Sequence, residues 1–271
     1  MIGEAEDAMA GYGRFCPVAK GAEVFAERWM PLVLRELLCG STRFNDLHRG
    51  VPLMSRSLLS RKLRRLEEVG VVDRKLAPSG PEYRLTEAGR EFAPIVQSLG
   101  AWGQRWFRSD FSRDELDVGV LLWDMRRGVK PDAFPARRIS VEFDFPDQPA
   151  GKRRWWLICA DGETEICPTD PGFEVDLYVI SDVETMTRVW MGDLAVSAAL
   201  KSGKIELSGE RELRDRFEGW LGLRAFAHVK DERARLGRAA EGVHAAQRPG
   251  AQRSRPRPAT PEKGPNPKTL P

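Results

Sequence analysis

MSRSLLSRKLRRLEEVG, Met54 to Gly70, is the stretch whose reading decides the fold. Placed on a helix, Leu59, Leu63, Leu66 and Gly70 recur at i, i+4, i+7 and i+11 and share one face. Ser57, Ser60, Arg61 and Arg64 take the opposite face, with Arg65 beside them, and no acid follows until Glu67 and Glu68. Such a helix buries its leucines and turns short hydroxyls and guanidiniums outward. That outer face has the chemistry a DNA major groove requires: arginine for guanine edges and phosphates, serine for phosphates and close approach. A basic amphipathic helix taken alone is more often just a solvated face, so the flanks must decide.

Upstream, TRFNDLHRGVP predicts a short helix with Phe44 and Leu47 inward, broken at Gly50–Pro52. Thr42 is expected to cap this helix and Ser55 the longer one. Short helix, tight turn and longer basic helix make a helix-turn-helix. Downstream, two β-rich runs, Val71 to Leu76 and Glu82 to Leu85, flank Pro78, Ser79, Gly80 and Pro81, which punctuate a hairpin loop. A basic hairpin with Arg74, Lys75 and Arg84, placed after the recognition helix, is a wing able to follow phosphates. The whole predicts a winged helix.

The segments CPVAKGAEVFAERWMPLVLRELLCGSTRFNDLHRG, MSRSLLSRKLRRLEEVGVVDRK and YRLTEAGRE, in that order, resemble the HxlR-type regulators, relatives of the MarR group. The resemblance covers about Cys16 to Phe107 and implies a bacterial, homodimeric transcription factor acting on double-stranded DNA. It implies that Ser55, Arg56, Ser57, Ser60, Arg61 and Arg64 face DNA. With Arg43 and the wing residues Arg74, Lys75 and Arg84, these form the expected DNA-binding set.

Net charge is +3, but it is unevenly placed. Residues 1–110 carry 17 Lys and Arg against 14 Asp and Glu, residues 111–228 carry 16 against 22, and residues 229–271 carry 10 against 4. Basic ends around an acidic middle assign DNA contact to the ends. No span approaches the ~20 apolar residues of a membrane helix. The opening MIGEAEDAMAGYG is acidic and unlike a signal peptide, so the expected location is cytoplasmic with no membrane partner. Four cysteines without CxxC spacing and three scattered histidines argue against a disulfide framework, a metal site or a cofactor.

Cys16 precedes Pro17 at the start of the first helix, with Lys20 one turn on. Unpaired N–H groups and the helix dipole there favour a thiolate, which makes Cys16 a candidate redox site. The likeness adds to this, since several HxlR-type regulators sense oxidants through a cysteine so placed. The competing reading is a cysteine packed at a dimer seam. Val18 to Leu38 predicts two helices separated near Pro31. Thr86 to Phe107 predicts one long apolar helix, kinked or broken near Ala93 by Pro94. Its apolar surface is expected to seek a partner subunit, the alternative being packing on its own domain.

A boundary is expected at Arg108 to Ser112. Beyond it, LDVGVLLWDMRRG predicts an amphipathic helix, followed by strand-like runs at 137–145, 153–161, 163–167 and 173–181. Asp161–Gly162 signals a hairpin. VETMTRVWMGDLAVSAALKSG predicts a helix, KIELSG a strand and ERELRDRFEGWLGL a closing helix. This half predicts an α+β domain with an antiparallel sheet, and its pattern resembles the sterol carrier protein type-2 fold. That likeness implies an apolar tunnel and a hydrophobic small molecule as ligand. Trp123, Trp155, Trp156 and Trp190 are the candidate pocket residues, with plain core packing as the alternative.

The expected organisation is therefore α+β: a winged helix-turn-helix DNA-binding and dimerisation domain at 14–108, a sterol-carrier-like domain at 112–226 and a disordered Pro/Arg-rich tail at 240–271. No GxSxG, HExxH, GxGxxG or Walker sequence occurs, so no catalytic residue is assigned and an enzyme is not expected. Two functions remain open. One is a dimeric regulator reading an inverted repeat, controlled by an apolar ligand or by Cys16. The other is a lipid carrier dimerised by its N-terminal half.

Overall fold

Pro17 opens the first helix, α1 (Pro17–Phe25), where its missing N–H has no acceptor to lose. The same logic applies at Pro31, near which two helices are expected to separate and do. That proline lies inside the first turn of α2 (Met30–Leu38), and the chain turns one step earlier, at Trp29 with φ +75°. A computed structural model describes residues 11–13, 15–78, 80–106, 115–222 and 229; the expected boundary at 108–112 and the tail at 240–271 lie outside them. All described residues belong to one compact unit.

After α2 come α3 (Phe44–Gly50) and α4 (Arg56–Glu68). Ser55 caps α4 as expected, its Oγ accepting the Leu58 N–H at 3.3 Å. Thr42 does not cap α3, which has no side-chain cap. Its carbonyl instead accepts the Tyr83 N–H at 2.8 Å, and Arg43 forms a β-bridge to Glu82, so this segment is drawn alongside the wing. Leu59, Leu63 and Leu66 are fully buried against Met30, Leu34, Leu47 and Met54. Gly70 departs from the expected stripe. It is exposed at φ +73° beyond the helix end. There Gly70 N–H bonds Glu67 and Val71 N–H bonds Leu66, which closes the helix with a left-handed residue that glycine adopts without strain.

The wing pairs β1 (Val72–Ala77) with β2 (Gly80–Leu85) antiparallel, Val72 facing Leu85 and Ala77 facing Gly80. The long helix expected over 86–107, kinked or broken near Ala93, is broken close to that point: α5 (Glu87–Arg90), capped by Thr86, is followed by α6 (Phe92–Trp106). The interruption falls at Glu91, which leaves Pro94 in the first turn of α6, where a proline fits.

The second half begins with α7 (Val118–Gly128), capped by Asp117, whose Oδ1 accepts the Val120 N–H at 3.1 Å. Then follow β3 (Ile139–Asp144), α8 (Ala150–Arg153), β4 (Arg154–Ala160), β5 (Glu163–Cys167), β6 (Leu177–Ser181), α9 (Val183–Met191), α10 (Val196–Lys201), β7 (Ile205–Gly209), α11 (Arg211–Asp215) and α12 (Phe217–Leu221). The strand order is β5-β4-β3-β6-β7. The sheet is mixed, which corrects the antiparallel expectation: β3 and β6 run parallel because the chain leaves β5 and crosses to the far side of β3. Asp161 and Gly162, both at positive φ, make the expected two-residue turn. The helix expected after β6 splits at Gly192, which ends α9 at φ +81°, and the closing helix splits at Arg216. One face of the sheet (Val141, Phe143, Leu157, Leu177, Val179) packs on Leu122 and Met125 of α7, Met186 and Val189 of α9, and Phe217 and Trp220 of α12. This core is separate from that of the winged helix.

Candidate nucleic-acid interface

With three leucines of α4 anchored, the helical period leaves Ser57, Ser60, Arg61 and Arg64 exposed together. Arg61 and Arg64 form no ion pair among the described residues. Lys62 and Arg65, on the flanks of the same helix, are engaged: Lys62 pairs with Glu27, and Arg65 reaches Glu68 at 4.0 Å. Ser55 is committed to its cap and also meets Ser57 at 3.2 Å. Arg56, the first residue of α4, donates to Asn45 Oδ1 at 2.7 Å and lies over the Phe44 ring at 5.0 Å.

On the wing, Arg74 and Lys75 are exposed, but Arg84 and Arg43 converge on one acid. Arg84 donates to Glu82 Oε2 at 2.8 Å and Arg43 to Glu82 Oε1 at 3.2 Å. The Arg84 hydrogen bond, helped by the charges of Arg84 and Arg43 and opposed by some desolvation, holds the Glu82 carboxyl below its ordinary pKa. Of the ten expected residues, Ser57, Ser60, Arg61 and Arg64 share a free face on α4, Arg74 and Lys75 are exposed on β1, Ser55 and Arg56 are engaged at the start of α4, and Arg43 and Arg84 form a trio with Glu82 on the wing. Glu82 escaped the sequence reading; its strand alternation with Arg84 was the available signal.

This free face sits in a family context. Residues 24–111 match the family described as HxlR-like helix-turn-helix. The HTH-type transcriptional regulator YvaP of Bacillus subtilis is 36% identical over 100 residues, which are 35% of this chain and 93% of YvaP. The chain belongs to this family of transcriptional regulators. A second regulator, from Methanothermobacter thermautotrophicus, is 34% identical over 107 residues, 38% of this chain and 82% of its own length. Rv3095 of Mycobacterium tuberculosis reaches 44% over 94 residues, 33% of this chain and 58% of its own. All three likenesses are confined to about a third of the chain.

The two cores meet at a polar seam that the sequence reading missed. Glu36 of α2, with no exposure, accepts from Arg127 Nη1 at 3.3 Å, Arg35 Nη1 at 3.1 Å and Trp123 Nε1 at 3.2 Å. Arg127 also bonds Ser41 Oγ at 3.1 Å and Asp124 at 3.2 Å, and Asp124 takes Arg35 as well. Burial works against the charge on Arg35, but Asp124 and Glu36 more than offset it, and its pKa lies above the ordinary arginine value. Partners about ninety residues apart leave no local pattern to read.

The four candidate pocket tryptophans do not share one setting, which corrects their grouping. Trp123 lies in the seam under Arg49, Arg126 and Arg127. Trp155 packs on the C-terminal core, its Nε1 donating to the Lys152 carbonyl at 2.8 Å. Trp156 is buried opposite Glu142, on the other face of the sheet, and the Trp190 ring fills the space a side chain at Gly128 would need. Clefts of about 490 and 350 Å³ on this half are lined by other residues, Leu200, Leu207 and Arg214 in one, Phe134, Pro135 and Cys159 in the other. Cys16 is exposed at the cap position of α1, and the Lys20 ammonium is turned to Glu23 at 3.1 Å. No helix among the described residues is long and apolar enough to cross a membrane, and no cluster there could hold a metal ion.

Proposed function

We propose that the chain is a homodimeric transcription regulator that reads an inverted-repeat operator with α4 of each protomer, Ser57, Ser60, Arg61 and Arg64 entering the major groove. Ser55 and Arg56 meet the backbone at the helix start, while Arg74 and Lys75, with Arg84 and Arg43 behind them, follow phosphates from the wing. The observation that carries this is the unpaired guanidinium face of α4 held outward by three fully buried leucines. Dimerisation is supported by α1, which buries none of its nine residues, and by α6, which exposes Ile95, Leu99 and Trp102. Selection of bound DNA from a random pool tests the reading. An enriched palindrome, with Arg61→Ala and Arg64→Ala each weakening binding by about 1–3 kcal/mol, supports it. Binding that neither substitution changes would leave the carrier function as the better account.

The C-terminal half is proposed as an effector module of sterol-carrier-like fold taking an apolar ligand. What favours this is the order strand, helix, Gly192 turn, helix, strand over 177–209, and the 350 Å³ cleft beside Phe134 and Pro135. Extraction of purified protein followed by mass spectrometry tests it. Oxidation of Cys16 is the second proposed input, favoured by its exposure at the start of a helix that has no buried residue.

A further inference from the structure

Asn45 and Arg49 stand four residues apart on α3 and therefore share a face. At one end this face meets the recognition helix, through the 2.7 Å bond from Arg56 to Asn45. At its other end the Arg49 guanidinium lies 5.4 Å from the Trp123 ring centroid, and Arg126 covers the same ring at 4.1 Å. A polar strip thus runs from the start of α4, across α3 and onto α7 of the C-terminal half.

Arg126 is the odd member of this junction. Arg35, Arg49 and Arg127 each hold a carboxylate, whereas Arg126 has none within ion-pair distance among the described residues, and its buried Nε has no hydrogen-bond partner. The acids facing it are Asp46, already held by Arg49 at 3.4 Å, and Glu165 of β5 at longer range. Burial, then the neighbouring Arg127 and Arg49, push its pKa down against the pull of those two acids. A half-buried guanidinium in such a place is costly until an anion satisfies it.

We infer that Arg49 and Arg126 hold backbone phosphates beside the bases read by α4, so that the C-terminal half takes part in DNA contact. The inference rests on the DNA-binding reading above. The first helix of a helix-turn-helix crosses the backbone, and α3 is that helix here. A phosphodiester is a single-charge oxyanion whose two free oxygens suit a guanidinium fork. Such contacts add affinity and register without base preference.

The test compares the full-length chain with Arg49→Ala, Arg126→Ala, Arg126→Met and Arg61→Ala on the selected operator at several salt concentrations. Arg49→Ala and both Arg126 variants are expected to lower the slope of log affinity against log salt by about 0.9 each, with the selected sequence unchanged and a hydroxyl-radical footprint shortened at its flanks. Arg126→Met keeps the apolar stem over Trp123, so a slope change shared with Arg126→Ala belongs to the charge. Unchanged slopes and footprint in variants that melt like the wild type, while Arg61→Ala still loses affinity, overturn the inference and leave the DNA reading standing. Loss of inorganic phosphate binding by calorimetry, with DNA slopes unchanged, would also overturn it in favour of a free-anion site. If the wild type itself shows no preference for any DNA, both fall together.

Discussion

Glu36 and Arg127, ninety-one residues apart, form an ion pair from which the Glu36 carboxylate is wholly excluded from water. The pair joins α2 of the winged helix to α7 of the second half, with Trp123 Nε1, Arg35 and Ser41 completing its hydrogen bonds. A buried pair of this kind is a registry device more than a source of net stability, but breaking it from one side leaves a charge stranded. Glu36→Leu is expected to cost about 3 kcal/mol in denaturant unfolding. The double variant Glu36→Leu/Arg127→Met should recover much of that loss, as a mutant cycle between contacting residues. A single variant as stable as the wild type would show that the seam holds nothing together.

Gly50 makes room for that carboxylate. A Cβ on Gly50 would lie 2.0 Å from Glu36 Cδ and Oε2, although the backbone there is not in the left-handed region. Gly50→Ala should therefore destabilise through collision alone, by roughly 1–3 kcal/mol. In a Glu36→Ala background, where the collision is gone, most of that cost should vanish. Equal costs in both backgrounds would place the strain elsewhere.

On the wing, Glu82 restrains two guanidiniums that the proposed interface needs. Glu82→Gln removes the acid and leaves Arg43 and Arg84 to phosphate, so DNA binding should tighten and its salt slope steepen. Affinity titrations at two salt concentrations measure both. Weaker binding would mean that the trio positions the wing rather than competing with DNA.

The recognition helix and the wing were legible because their signals are local. Leucine spacing places one face of α4 inward, Ser55 caps it, and Pro78 with Gly80 marks the turn. Cap geometry was harder: Thr42 has the right chemistry, but a backbone bond to Tyr83 takes the segment into the wing. Pro31 and Pro94 each mark a helix break that falls just upstream of the proline, which itself sits in a first turn where no N–H is required. The parallel β3–β6 pair depends on where the chain crosses after β5, which strand alternation does not encode. The seam around Glu36 and the solitary Arg126 are long-range events, with partners from α2, α3 and α7 that no local spacing connects.

Asp144 gives a pH prediction. Hydrogen bonding from Arg153, at 2.8 Å to Oδ2, together with the charges of Arg153 and Arg154, holds its carboxyl below the ordinary value despite partial desolvation. A depressed carboxylate contributes stability above its unfolded pKa and loses it as pH falls through the lower folded value. Asp144→Asn should thus melt below the wild type at pH 7, by an amount equivalent to roughly 0.5–1 kcal/mol for a pair this accessible. The difference should begin to shrink below about pH 4, where the unfolded carboxyl protonates, and close once pH has fallen past the lower folded value. A gap that persists in acid would assign the loss to packing.

The apolar helix faces carry the last prediction. α1 buries none of its residues and leaves Val18 79% exposed, and α6 leaves Ile95 and Leu99 nearly half exposed. Contiguous apolar surface of this sort is characteristic of an association site. Leu99→Lys should change monomer stability little, because an exposed position has few contacts to lose. It should nevertheless shift sedimentation equilibrium from dimer to monomer and abolish tight binding to an inverted repeat while sparing weak half-site binding, since the two recognition helices would no longer be linked. A wild type that sediments as a monomer at micromolar concentration, or a Leu99→Lys variant that stays dimeric and binds the full site, would remove α6 from the proposed dimer seam.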